Sequence, residues 1–201
     1  MKALPKKLLP LTLFAIAVTS LFSVQPAQGF TMTLQQVGSN VVANGSGAIN
    51  LTGLTLDDLF SPVAGVVGSS GIINMGQSAV NVPGYFGFTG PSNFGGGGLF
   101  SPNTSSGDFV GINNSPLGDI FVPQGYVSDT ALSDSMTFNS ATFASLGLTP
   151  GTYTWSWGTG LRNQNFTLII GGAGVPDGGS TVFLLGFGLL GLAALRRKLR
   201  C

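Results

Sequence analysis

The sequence predicts a mainly β body, an antiparallel β-sandwich or jelly-roll-like domain, held between two apolar terminal segments. Three observations carry this prediction. Glycine is abundant, 32 of 201 residues, while only 7% are charged, so good helix formers are scarce. Short runs of β-branched and aromatic residues with partial apolar/polar alternation recur between Gly, Pro and Asn breaks. Setting both ends aside leaves about 145 residues, enough for one domain with its own core.

Residues 1–29 have the form of a secretory signal peptide. Lys2, Lys6 and Lys7 form the charged start, and residues 8–22 form an apolar core broken by Pro10. Ala27 and Gly29 place small residues at −3 and −1, which predicts cleavage between Gly29 and Phe30, with cleavage after Ala27 as the alternative. The partners this implies are the Sec translocon and a signal peptidase.

The body, residues 30–174, divides into strand-like pieces. Residues 31–37 and 48–52 alternate, and Asn44-Gly45 between Val41-Val42 and Ala48-Ile49 predicts a hairpin turn. Residues 54–56 extend the second arm. In the Gly/Ser-rich stretch 61–107, residues 71–75 and 85–88 are the better strand candidates, and Gly95, Gly96, Gly97 and Gly98 predict a flexible surface loop. Beyond it, strands are expected at 109–112, 120–122, 135–138, 152–157 and 165–170, with one helical turn at 142–146.

Charge is partitioned by region. The body holds one basic residue, Arg162, against Asp57, Asp58, Asp108, Asp119, Asp129 and Asp134, a net of −5. Nucleic acid is excluded as a partner by the lack of any basic patch. The chain has no His and no Glu, and its one cysteine is Cys201. A Ser/His/Asp triad and a Cys/His zinc site are therefore excluded, and no metal or cofactor is expected. An Asp pair for glycoside hydrolysis is conceivable, but each Asp sits beside turn-forming or small residues, so the body is expected not to be an enzyme. Calcium could draw oxygens from Asn113, Asn114 and Asp119, or from Asp129 with Asp134, though neither set has the spacing of a dedicated loop. Tyr153, Trp155 and Trp157 stand at i, i+2 and i+4, so a strand sends all three to one face. That face is either core or a platform for carbohydrate.

Residues 175–201 are built in three parts. Val175, Pro176, Asp177, Gly178 and Gly179 form a short signature, residues 180–195 an apolar helix, and Arg196, Arg197, Lys198 and Arg200 a basic cluster. Basic residues directly after an apolar segment stay on the cytoplasmic side. Residues 182–195 alone are short of the roughly 20 a bilayer needs, and extension back to 180 brings the segment near the lower limit of about 17. Gly186, Gly188 and Gly191 match a dinucleotide fingerprint, but no strand precedes them and no acidic residue follows.

This tail resembles the tripartite sorting signal of the PEP-CTERM class, most closely its VPDSG-CTERM branch, with Gly178 where the branch has Ser. The resemblance implies recognition by a membrane-embedded exosortase-type transpeptidase. It also implies transient anchoring in the inner membrane through a transmembrane sorting helix, then release to the cell surface, outer envelope or medium. Residues 119–171, with "ATFASLGLTPGTYTWSWG" within them, resemble the C-terminal half of a group of uncharacterised PEP-CTERM exported proteins. That resemblance implies a link to exopolysaccharide and biofilm matrix and brings no known activity. The expected role is non-catalytic and structural, with a carbohydrate-binding module or an Asp-dependent glycoside hydrolase as alternatives.

Overall fold

A computed structural model describes residues 29–78, 81–114, 118–161 and 163–171. The expected signal-peptide core, sorting signature, apolar helix and basic cluster lie outside these. The described residues are mainly β, with thirteen strands and no α-helix among them.

The strands are β1 (Phe30–Val37), β2 (Asn40–Ala48), β3 (Thr55–Phe60), β4 (Gly65–Val67), β5 (Ile72–Met75), β6 (Val82–Phe86) and β7 (Leu99–Phe100). They continue with β8 (Thr104–Gly107), β9 (Val110–Asn113), β10 (Asp119–Phe121), β11 (Ala131–Phe138), β12 (Gly151–Ser156) and β13 (Asn165–Ile170). One sheet has the order β12-β13-β1-β2-β11-β8, the other β3-β6-β10-β9-β5-β4-β7. Every named pairing is antiparallel except that of β1 with β13, which is parallel.

Alternation along each strand explains how the two sheets share one core. Phe30, Met32 and Leu34 on β1 and Phe166, Leu168 and Ile170 on β13 point inward, as do Ile73 and Met75 on β5 and Ile112 on β9. A smaller cluster of Val82, Phe109 and Phe121, with Phe60 against it, covers part of the other face of the seven-stranded sheet.

The first hairpin differs from the sequence expectation. The turn is Gly38-Ser39, with Val37 paired to Asn40 and Gly38 at φ 59°, as a two-residue loop with glycine first requires. Asn44 and Gly45 lie mid-strand in β2, which runs unbroken between β1 and β11. Gly45 is glycine for packing: a Cβ there would stand 2.0 Å from the Asp134 carboxylate and 2.8 Å from the Phe30 ring. Residues 49–52 are loop rather than strand. At the far sheet edge, Asp57 and Asp58 bulge out of β3 opposite Gly84, since Leu56 pairs with Tyr85 and Leu59 with Pro83. A bulge with two charges is a common guard against edge-to-edge pairing.

The expected turn at 142–146 forms and is capped at both ends. Thr142 Oγ1 accepts from the Ser145 N–H (3.0 Å) and Ser145 Oγ accepts from the Thr142 N–H (2.8 Å), a reciprocal cap. At its end Leu148 N–H donates to Phe143 C=O (2.8 Å) and Gly147 N–H to Ala144 C=O (3.0 Å), with Gly147 at φ 62°. This is the Schellman pattern.

The turn docks on the glycine run, which is not the free loop its composition suggests. Gly97 is buried and donates to Gly147 C=O (3.0 Å), Ser69 donates to Gly97 C=O (2.9 Å), and Phe94 beside the run is fully buried. A Cβ on Gly147 would stand 2.5 Å from Gly97 Cα, and one on Gly97 2.1 Å from Leu146 C=O. Only glycine lets two backbones approach this closely.

Gly147→Ala is expected to destabilise the body by about 1–3 kcal/mol, combining the positive φ with a forced backbone shift. Gly96, around which nothing lies within 4 Å, should accept Ala with a change inside about 0.5 kcal/mol. Urea-unfolding midpoints of the two variants check this; equal, small losses would mean that the glycine run is not docked.

Candidate functional site

The row at 153–157 turns inward. Trp155 is 0% exposed and Trp157 5%, and Tyr153 packs half-buried against the same core. Trp155 stands edge-on to Phe94 (6.4 Å, 90°) and to Phe166 (5.9 Å, 79°), and Phe166 meets Phe30 at 5.6 Å. The polar handles are used internally. Trp155 Nε1 donates to Pro91 C=O (3.0 Å), Trp157 Nε1 to Asn50 C=O (2.7 Å), and the Tyr153 hydroxyl to Thr149 C=O (2.9 Å). Of the two readings of this row the structure takes the first: Trp155 and Trp157 are core, and Tyr153 packs against it.

The carboxylates are scattered, and among the described residues no three acidic or metal-ligating side chains gather at one point. Asp129, at φ 70° in the turn before β11, accepts from Asn50 Nδ2 (3.3 Å) and from Asn163 Nδ2. Its backbone N–H meets Ile49 C=O (3.1 Å). It therefore braces the loops at one end of the body. Asp134 lies inside the core, so these two share no site. Asp119 pairs with Asn113 across β9 and β10, but the Asp119 side chain is buried and its Oδ1 has no hydrogen-bond partner.

Asp134 is the most perturbed group. It alternates with Leu132, Met136 and Phe138 on the core face of β11, is 6% exposed, and has no hydrogen-bond partner on either oxygen. Burial pushes its pKa up to about 8, nearby Asp108 pushes the same way, and a weak approach of the Gly45 N–H opposes them. Asp119 is raised too, by burial first and then by Asp57. A raised carboxyl in a cleft would suggest an acid catalyst. Asp134 faces Gly45 and Phe30 rather than a cleft, and its oxygens are sealed from solvent.

One cleft opens on the outer side of the seven-stranded sheet. It has a volume of about 350 Å³ and is lined by Phe60, Val63, Val67, Ile72, Leu99 and Phe121, with Asn74 and Asn113 on its polar side. Asn74 Nδ2 donates to Val63 C=O (3.3 Å), and Asn74 Oδ1 is buried without a partner, above Gly111. Sequence reasoning missed this cleft because β4 and β7 are too short to leave a pattern.

Gly29, the first described residue, is buried and bridged to Ala48, and Asn165 fills the space a Cβ would need. Phe30 beside it is fully buried.

Comparison with known families finds the VPDSG-CTERM motif at residues 174–199, a PEP-CTERM-type sorting signal. The match contains the 175–179 signature, the apolar segment and Arg196, Arg197 and Lys198, while Arg200 lies just past it. No curated protein and no solved structure gave a match.

The Asp134 shift has a consequence for stability. Between its ordinary value of 3.8 and about 8, the folded state keeps a proton that the unfolded chain has released. Stability should therefore fall as pH rises through that window, by up to about 1.4 kcal/mol per pH unit from this group. Asp134→Asn is expected to flatten most of that slope and to be the more stable form at pH 8, with Asp119, also raised, contributing a slope of the same sign. Thermal melts from pH 4.5 to 8.5 check this; an unchanged slope would mean Asp134 is ionised in the fold.

Proposed function

We propose that this chain is an exported, non-catalytic protein of the cell surface or extracellular matrix, with a β-sandwich body, processed by an exosortase-type system. The sorting signal at 174–199 carries the reading. In it the leader takes the body through the Sec translocon, and the segment 180–195 holds the chain in the inner membrane with Arg196, Arg197, Lys198 and Arg200 inside. Transpeptidation near Val175, Pro176, Asp177, Gly178 and Gly179 then frees the body.

Supporting a non-catalytic body are the sealed carboxyl of Asp134, the braced carboxylate of Asp129 and the chain's lack of His and Glu. The inward aromatic row leaves the platform form of the carbohydrate-binding alternative without its surface. For the leader, the place of Gly29 favours cleavage after Ala27. Cutting before Phe30 would remove the Gly29–Ala48 bridge and put an α-ammonium on a fully buried residue, which is costly unless paired.

The intact mass and terminal peptides of the native protein, from membrane and medium fractions of its own host, test this. The expected product begins at Gln28 and ends within 175–179. A product still carrying Cys201 would make the tail a plain anchor, and one beginning at Phe30 would overturn the cleavage position alone.

A further inference from the structure

We propose that the outward face of the six-stranded sheet is a binding surface for an uncharged, hydroxyl-rich polysaccharide chain. This gives the matrix-associated reading above a partner and takes its biological setting from it, but its argument is the chemistry of the face.

Pairing registers align hydroxyl and amide side chains in rows across the strands. In one row Thr154, Thr167, Thr31, Ser46 and Ser133 are successive neighbours. In the next, Thr33 stands beside Asn44, Asn44 beside Ser135, and Ser135 beside Ser106, with Thr152 beyond Ile169 on the other flank. Neighbouring strands lie about 4.8 Å apart and same-face residues roughly 6.7 Å apart along a strand, so the groups form a grid. Of these, Ser106 and Ser135 bond each other (3.0 Å) and Thr31 makes a long bond to Gly29 C=O (3.4 Å). The side chains of Thr33, Asn44, Ser46, Thr154 and Thr167 have no hydrogen-bond partner among the described residues.

Three features select the occupant. The strands themselves carry no Asp, Lys or Arg on this face, since Asp134 points inward, and the one carboxylate beside the grid, Asp108, is tied to the Ser133 N–H (2.8 Å) at the β8 flank, so a neutral partner is complementary and an acidic one gains nothing from a body of net −5. Threonine is stiff at χ1, so its hydroxyls are held in place and lose little freedom on binding. Sheets twist by roughly 20–25° per strand pair, about 100° or more over the five steps here, which rules out a match to a flat crystalline lattice such as ice. A flexible chain can follow the twist. The exposed side holds no aromatic from β12 or β13, so retention depends on many hydrogen bonds, none of them salt-sensitive.

Affinity gel electrophoresis of the full-length chain in a polyoxyethylene detergent, with dextran, hydroxyethylcellulose, xyloglucan or alginate cast in the gel, tests this. Retardation is expected with at least one of the three neutral polymers and not with alginate, and should change by less than about twofold between 50 and 500 mM salt. The isosteric triple variant Thr33→Val/Thr154→Val/Thr167→Val should weaken retardation at least about tenfold, with the emission of the buried tryptophans unchanged. Should that variant misfold, Ser46→Ala/Ser133→Ala gives the same readout with less change in surface. No retardation by any neutral polymer, retardation by alginate alone, ice shaping without glycan retention, or full retention by folded variants would each overturn the proposal. No retardation in the gel, with a native host product that is exported and trimmed, sinks this inference only, while retardation in the gel with a native host product that still ends at Cys201 sinks the processing reading only.

Discussion

The pairing of the first strand with the last is the constraint on which the larger sheet depends. β1 and β13 run parallel from Phe30↔Phe166 to Leu34↔Ile170, so β1 takes a central place in its sheet only once the end of the body has arrived. Contacts between residues so far apart in sequence form late and cost loop-closure entropy. Residue 174, where the sorting signal begins, follows the end of β13 by only a few positions. Under the export reading the sheet can close only when nearly the whole body has crossed the membrane, and a C-terminal anchor would hold the chain while it does. Because the pair is parallel, the chain enters it at one end, near Asn165, and leaves at the other, near Leu34.

Glycine makes room between the strands and loops of this body. Each buried polar side chain with an unpartnered atom lies over a glycine of a neighbouring strand: Asp134 over Gly45, Asn74 over Gly111, Asp119 over Gly84. Without a Cβ beneath them these groups fit within the sheets, though with little hydrogen bonding, and burial raises the pKa of both acids. At Gly97 and Gly147 the same absence lets two loops stack backbone on backbone. A composition that reads as flexibility is, at these positions, used for close packing.

The two sheets divide the surface chemically. The seven-stranded sheet carries an apolar cluster, an apolar-rimmed cleft and the bulged acidic edge of β3. The six-stranded sheet carries the uncharged hydroxyl grid, and the segment at Thr89 bonds to Ser156 on its β12 edge (2.9 Å). Cores of this size draw heavily on aromatics, and Phe30, Phe94, Trp155 and Phe166 form the connected group that anchors the β12, β13 and β1 side.

What local chemistry can specify was legible in the chain alone. Alternation placed β1, and apolar or β-branched runs between turn residues placed β5, β9, β12 and β13, nearly where they lie, because such runs need a buried face whatever their partners. Thr142, Ser145 and Gly147 specified their capped turn, because all its bonds fall within seven residues. The sorting signal was legible for the same reason, since its parts are contiguous. The rest was settled by contacts between segments far apart in the chain. Asn44-Gly45 is an ordinary turn pair until β1 and β11 flank it and Asp134 needs the space above Gly45. The row at 153–157 could face inward or outward with equal local cost, and the arrival of Phe94 and Phe166 settled it. The hydroxyl grid exists only in register, because its neighbours are separated by as many as 136 residues in the chain, as Thr31 and Thr167 are. Spacing within one strand says nothing about which side chains the next strand sets beside it.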